Sequence, residues 1–330
     1  MTIRFGVIGA GRIGKVHSKT IASNPKARLA YIADAIPAAA QSLAEQHGAK
    51  VASVEEIMNA KDVDAVLIGS PTGFHAEQIQ AASNHGKAIM CEKPVSMNVA
   101  MIEETLKVVE KNKSTLMIGF NRRFDPNFAE LEMIIRRGDI GDVEICTVIS
   151  RDPAPPPAEY VKGSGGIFAD MMIHDFDMAR FLVGEEFVIV NALGAALVDK
   201  AIGEAGDVDT AAVQMQTASG KIAVITNSRR ATYGYDQRME VHGSKGMVHA
   251  KNVHNTTVEV LSKWGYKSDP IQNFFLERYS AAYANELNTF IAAVETGDRN
   301  PRPSGFDGLQ AQKLAEAATQ SWKTGKPVKV

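Results

Sequence analysis

The 330-residue sequence predicts an α/β protein in two parts. An N-terminal doubly wound parallel sheet comes first, followed by a C-terminal α/β domain with a large open, mostly antiparallel sheet. Two observations predict this. Up to about residue 121, short apolar runs alternate with amphipathic segments, the pattern of βαβ units. Beyond it, strand-like runs follow one another across tight turns such as Ser219-Gly220 and Gly243-Ser244, the pattern of antiparallel pairing. The expected division is 1–121 and 122–330.

The elements follow in order. Strands are expected at Arg4–Ile8, Ala27–Ala33, Ala65–Ile68, Ala88–Cys91 and Thr115–Gly119. Helices are expected between them at Ile13–Ser23, Pro37–His47, Val54–Met58, His75–Asn84 and Val99–Lys111. Phe128–Arg137 reads as a helix closed by Gly138, and Val143–Ser150 as a strand. Asp152-Pro-Ala-Pro-Pro-Pro157 can neither pair nor coil, so it reads as a rigid loop. One helix is expected over Gly166–Leu182. Strand-like runs follow at Val188–Gly194, Thr210–Thr217, Lys221–Arg229, Gln237–His242, Met247–Ala250 and Thr257–Leu261, and two helices near Phe274–Glu295 and Gly305–Trp322 close the chain.

The first strand carries the clearest chemical signal. Phe5, Val7 and Ile8 lead into Gly9, Gly11 and Gly14, spaced GxGxxG, and a helix opens at once. A second strand ends at Asp34, 20 residues after Gly14. This order of parts is a dinucleotide-binding fingerprint. Gly9 permits the turn, Gly11 lets backbone approach a pyrophosphate, and Gly14 allows close packing. The helix start, with Arg12 and Ile13, offers unpaired N–H groups to phosphates. Asp34 can accept hydrogen bonds from a ribose diol and would repel a 2′-phosphate. Ala35 and Ile36 supply no cation to hold one, so NAD is expected rather than NADP, although Arg12 could reach a phosphate. Ser70, Pro71 and Thr72 follow one strand, and Glu92 and Lys93 another, which puts both groups at the sheet edge where a cofactor sits. His75, shortly beyond, is expected to line the same site.

Composition sets bounds. Hydrophobic residues make up 45% and charged residues 22% of the chain, enough for sizeable cores, and the net charge is −2. Neither nucleic acid nor an acidic membrane surface is expected as a partner. Cys91 and Cys146 read as inert buried thiols, and no apolar run reaches membrane-spanning length. A cytoplasmic protein is expected, and no metal-ligand pattern is convincing.

Two further groups could do chemistry. Pro94 holds Lys93 extended at the end of its strand, aimed along the nicotinamide side; the plainer reading is a surface lysine. Asp170, His174 and Asp177 are spaced to share one face of a helix, opposite Met172, Phe176, Ala179 and Val183. The plainer reading there is an amphipathic helix whose polar face meets water. A dehydrogenase needs a proton acceptor, and histidine titrates near neutrality.

Together these residues resemble the glucose–fructose oxidoreductase/inositol dehydrogenase family over essentially the whole chain. The likeness runs through the glycine loop, Glu92-Lys93-Pro94, Gly119-Phe-Asn-Arg-Arg-Phe-Asp125, Ser150-Arg-Asp-Pro153, Ile173-His-Asp-Phe-Asp-Met-Ala-Arg180 and Tyr233-Gly-Tyr-Asp-Gln-Arg238. Within the family it is greatest to the inositol dehydrogenase branch. The resemblance implies a Rossmann domain, NAD as cofactor, and oxidation of one ring hydroxyl of myo-inositol, another cyclitol or an aldose. It also implies assembly through the open sheet, commonly into homotetramers. It places the catalytic lysine on Lys93 and its partners on Asp170 and His174, and substrate contacts on Arg123, Asp152, Asp177 and Tyr233. On this reading the reacting hydroxyl sits between His174 and Lys93. A cofactor-sensing regulator is the rival outside enzymes, and it would need none of those three residues.

Overall fold

The computed structural model describes residues 2–330 and divides them into two compact units. The first comprises residues up to Phe124 together with Ala281–Gln312. Its strands are β1 (Ile3–Ile8), β2 (Ala27–Ala33), β3 (Lys50–Val51), β4 (Ala65–Ile68), β5 (Ala88–Glu92) and β6 (Leu116–Gly119). They form one sheet in the order β3-β2-β1-β4-β5-β6, with every pair parallel. The crossover helices are α1 (Arg12–Ala22), α2 (Pro37–His47), α3 (Val54–Asn59), α4 (His75–Asn84) and α5 (Val99–Asn112). β1 and β4 are the point where the strand order reverses, and the crevice beyond their carboxyl ends is where such sheets take ligands.

Every residue of β4 and β6 is buried, as expected of parallel strands covered on both faces. α5 opens on Asn98, whose side chain accepts from Met101 N–H; α3 opens on Ser53 and Glu56, which cap each other's backbone. The two-residue β3 has no counterpart in the sequence pattern; so short an edge strand leaves no periodicity.

The second unit comprises Asp125–Ser280 and Lys313–Val330. In chain order it contains α6 (Pro126–Arg136), β7 (Val143–Arg151), α7 (Ala158–Ser164), α8 (Gly166–Asp170), α9 (Ile173–Val183), β8 (Phe187–Ala195), α10 (Lys200–Glu204), β9 (Thr210–Thr217), β10 (Ile222–Ser228), β11 (Asp236–Gly243), β12 (Gly246–Ala250), β13 (Glu259–Ser262), β14 (Gly265–Ser268) and α11 (Phe275–Arg278). α12 (Ser280–Thr296), α13 (Gly305–Thr324) and β15 (Val328–Lys329) complete the chain. The seven-stranded sheet runs β12-β11-β7-β10-β9-β8-β15. β7 and β10 are parallel; the other pairs are antiparallel. Along β7 the side chains alternate, with Cys146, Val148 and Ser150 buried and α9 packed on the strand.

Two expectations are corrected. The units are not contiguous at 121/122: Leu287, Phe290 and Ile291 of α12 sit in the core of the first unit with Phe5, Val7 and Ile32. A return of the chain after some 160 residues has no local signature. The single helix expected over Gly166–Leu182 is also two. Met171 and Met172 N–H both bond the Ile167 carbonyl and close α8, while Asp175 and Phe176 N–H bond the Met172 carbonyl and open α9. Met171, Met172 and Ile173 are all buried, and three consecutive side chains cannot share one helical stripe, so the chain turns there. Asp170 and His174 therefore stand on different helices. Nor does a polar face meet water, since Asp175, Asp177 and Arg180 are buried.

Candidate active site

In the first unit the glycine loop has the shape a pyrophosphate requires. Gly9 takes φ +106°, and a Cβ there would lie 2.4 Å from the Gly69 carbonyl oxygen. The loops after β1 and β4 thus abut with no room for a side chain. A Cβ on Gly14 would lie 1.9 Å from the Gly9 oxygen, whereas one on Gly11 would meet nothing within 4 Å. Gly11 therefore faces open space at a helix start with no side-chain cap, the kind of place where helix N–H groups take phosphates.

Asp34 is held from both sides. Ala10 N–H donates to Oδ2 at 2.6 Å and Ile36 N–H to Oδ1 at 2.7 Å. The carboxylate's remaining lone pairs suit a ribose diol. This donor and acceptor set fits NAD.

Ser70 Oγ donates to Gln78 Oε1 at 2.7 Å, and Thr72 opens a short 3₁₀ turn after Pro71. His75, expected to line the cofactor site, stands at that edge. It is buried, with Nδ1 2.8 Å from the Pro94 carbonyl oxygen and Nε2 2.7 Å from that of Ser70. Both ring nitrogens are thus engaged by backbone, because α4 starts beneath these loops. Lys93 follows β5. Before it, Glu92 Oε1 lies 2.6 Å from Nε2 of the buried His17. Arg123 is also buried, with Nη2 3.0 Å from Asp307.

In the second unit several of the expected site residues lie where the parallel strands β7 and β10 end. Asp175, fully buried, accepts from Ser150 Oγ of β7 at 2.6 Å and from Asn227 Nδ2 of β10 at 2.7 Å. That clamp fixes the first turn of α9, and so His174, beside the strand ends. Asp170 is held by the buried Arg229, whose Nη2 lies 3.3 Å from Oδ2, and by Tyr160 OH, 3.1 Å from Oδ1. Asp152 continues from β7, its N–H bonded to the Ser228 carbonyl at the end of β10.

Tyr233 is half-exposed at the same edge and donates to Asp236 Oδ2 at 2.7 Å, while Arg151 Nη1 lies 3.1 Å from its oxygen. Burial alone would push Asp236 up, but hydrogen bonds from Arg238, Tyr233 and Asn252 outweigh it and bring the pKa down to about 2. Asp177 is buried, with Arg180 Nη1 3.8 Å away. Arg229 and Tyr160 were not among the expected site residues, and Asp236 entered only as part of the segment Tyr233–Arg238. The residue after Ser228 carried a hint, since it continues the strand end that pairs with Ser150-Arg-Asp.

Family models match both parts of the chain. Residues 3–120 match the oxidoreductase family's NAD-binding Rossmann fold and residues 133–330 its C-terminal α/β domain. An inositol 2-dehydrogenase of Rhizobium meliloti is 55% identical over 97% of each chain. A crystal structure of a myo-inositol dehydrogenase from Corynebacterium glutamicum superposes with a TM-score of 0.95 at 43% identity, over 100% of this chain and 99% of that one. A scyllo-inositol dehydrogenase from Lactobacillus casei, solved with NAD(H) and scyllo-inositol, gives 0.93 at 31% identity over 100% and 99%. Matched by these models over both of its parts, the chain belongs to the GFO/IDH/MocA oxidoreductase family.

Proposed function

We propose that this protein is an NAD-dependent inositol 2-dehydrogenase that oxidises a ring hydroxyl of myo-inositol to the ketone. The observation that carries this is the edge of the second unit. There Asp170, fixed by Arg229 and Tyr160, and α9, fixed through Asp175, present a histidine beside polar groups suited to a polyol. The 55% identical inositol 2-dehydrogenase supports the same substrate class.

NAD, when held by the glycine loop and Asp34, would supply the hydride acceptor. His174 takes the hydroxyl proton as the C–H bond breaks, and Asp170 orients the imidazole and offsets the charge it gains. Lys93 donates to the reacting oxygen, where charge develops. Asp152, Asp177 and Tyr233 bond the remaining hydroxyls. Arg123, read as a substrate contact, pairs with Asp307 in the first unit.

The protein is further read as a homotetramer of the cytoplasm that joins through its open sheet. The face of that sheet away from α9 leaves Ile145, Ile222 and Met247 more than a third exposed, on strands whose opposite face is core. Two buried, unpaired cysteines suit a reducing compartment. Among the described residues no helix is long and apolar enough to cross a membrane.

The test is NADH formation over myo-inositol, scyllo-inositol, D-glucose and D-xylose, with the unmutated protein and Lys93→Ala. The expected result is the highest kcat/KM on myo-inositol and a loss of roughly 10²–10³-fold in kcat for the variant. An aldose preferred tenfold would overturn the substrate. Undiminished turnover by Lys93→Ala would overturn the chemistry.

A further inference from the structure

Lys93 stands between two residues that are each gripped by a buried histidine from a different helix. On its N-terminal side, Glu92 Oε1 lies 2.6 Å from Nε2 of His17, on the helix that starts at the glycine loop. His17 is 1% exposed and packs edge-on against the Tyr283 ring, with centroids 5.4 Å apart. The chain also leaves room for the Glu92 carboxylate. Its register partner on β6 is Gly119, where a Cβ would lie 2.9 Å from Glu92 Oε2. Glu286 of α12 is buried and feels the Glu92 charge. On the C-terminal side, His75 Nδ1 lies 2.8 Å from the Pro94 carbonyl oxygen and Nε2 2.7 Å from that of Ser70, and the neutral ring, with one N–H, donates to one of the two.

We propose that His17 and His75 are positioning residues for Lys93. They pin the residues before and after it to the two loops that face the cofactor. The inference rests on the reading of Lys93 as the donor to the reacting oxygen.

The physical reason is the length of the side chain. A lysine on four methylenes has wide rotamer freedom, so the placing of its amine depends on the backbone it leaves. A polar contact to a buried carbonyl or carboxylate is costly to break, because the partner is then stranded away from water. Two such contacts on consecutive sides of Lys93 hold its Cα more firmly than a strand end would, and strand ends are where chains fray. His17 reaches Glu92 from the pyrophosphate helix, and His75 reaches Pro94 from beneath the Ser70 loop. Lys93 is thereby referred to the same frame that seats the cofactor, which hydride transfer requires.

The experiment is a pair of double-mutant cycles on the intact protein with myo-inositol and saturating NAD. His17→Ala and His75→Ala are each measured alone and combined with Lys93→Ala, along with the NAD Kd from NADH fluorescence competition. Leucine replaces alanine at any position where alanine prevents folding. The expected result is a kcat loss of about ten- to a hundredfold for each histidine variant when Lys93 is present. That loss shrinks below threefold once Lys93 is alanine, and the NAD Kd moves by less than kcat. Losses that persist in full in the Lys93→Ala background would overturn the inference, since the histidines would then be supporting the fold at large. Histidine variants that turn over normally would overturn it as well. If Lys93→Ala is itself unimpaired, the assignment of Lys93 fails first, and the cycle distinguishes that result from the others.

Discussion

Replacing Asp34 by alanine should narrow cofactor selectivity and also weaken NAD itself, for separable reasons. The carboxylate would bond a ribose diol, and a hydrogen bond to a charged acceptor contributes about 1.5–3 kcal/mol, so its loss costs roughly ten- to 150-fold in kcat/KM for NAD. The same carboxylate already receives Ala10 N–H at 2.6 Å and Ile36 N–H at 2.7 Å. Alanine therefore also releases the glycine loop, and the NAD loss should lie toward the upper end of that range.

For NADP the balance differs. A 2′-phosphate charge about 4 Å from Asp34 would be repelled by roughly 4 kcal/mol at an effective dielectric of 20, near a thousandfold, and alanine removes that term. It does not create a phosphate site, because Ala35 and the exposed Ile36 bring no cation. Asp34→Ala combined with Ile36→Arg should therefore favour NADP more than Asp34→Ala alone. The assay is kcat/KM for both cofactors in the three proteins at fixed, saturating myo-inositol. Comparable use of NAD and NADP by the unmutated enzyme, or an unchanged ratio in Asp34→Ala, would refute the reasoning.

Three other outcomes are expected. His174→Ala should lower kcat by about 10²-fold with little change in NAD Kd, and near-normal turnover would remove it from the chemistry. Glu286 is buried with neither carboxyl oxygen at a hydrogen-bond partner; burial, and then the neighbouring Glu92, push it well above its ordinary 4.5. The folded chain thus keeps a proton that the unfolded chain releases. Stability should fall by about 1.4 kcal/mol per pH unit above 4.5 until the folded group ionises too. Glu286→Gln should flatten that slope in urea unfolding at pH 5 to 8, and an unchanged slope would count against a neutral acid. Asp236 behaves oppositely: with its pKa down at about 2 against an ordinary 3.8, its stabilisation is complete above pH 4 and lost as pH falls toward 2. Asp236→Asn should remove up to about 2 kcal/mol of acid-sensitive stability, less what solvent screens at the half-exposed Tyr233 and Arg238. Matching acid-unfolding curves for variant and parent would contradict this.

What could be read from the sequence, and what could not, divides by the range of the interaction. The glycine loop was legible because Gly9, Gly11, Gly14 and Asp34 act through backbone geometry within one βαβ unit, so spacing alone carries it. The strands of the first sheet were legible for the same reason. Ala27–Ala33 and Ala65–Ile68 are apolar runs bounded by turns, and they appear at those bounds. The break between α8 and α9 was not, because polar spacing at Asp170, His174 and Asp177 mimics a continuous helix. Only the demand to bury Met171, Met172 and Ile173 together turns the chain.

Nor could spacing reveal Arg229 on Asp170 or Asn227 on Asp175, contacts made across 59 and 52 residues by the parallel pairing of β7 with β10. His75 makes the distinction plain. Its place after a strand suggested a cofactor contact, and its position at that sheet edge is as expected. Yet both of its ring nitrogens lie within hydrogen-bond distance of backbone carbonyl oxygens, those of Pro94 and Ser70. Local pattern finds the edge where chemistry occurs. Which side chains there face the substrate, and which instead hold the others still, depends on hydrogen-bond partners supplied by distant segments.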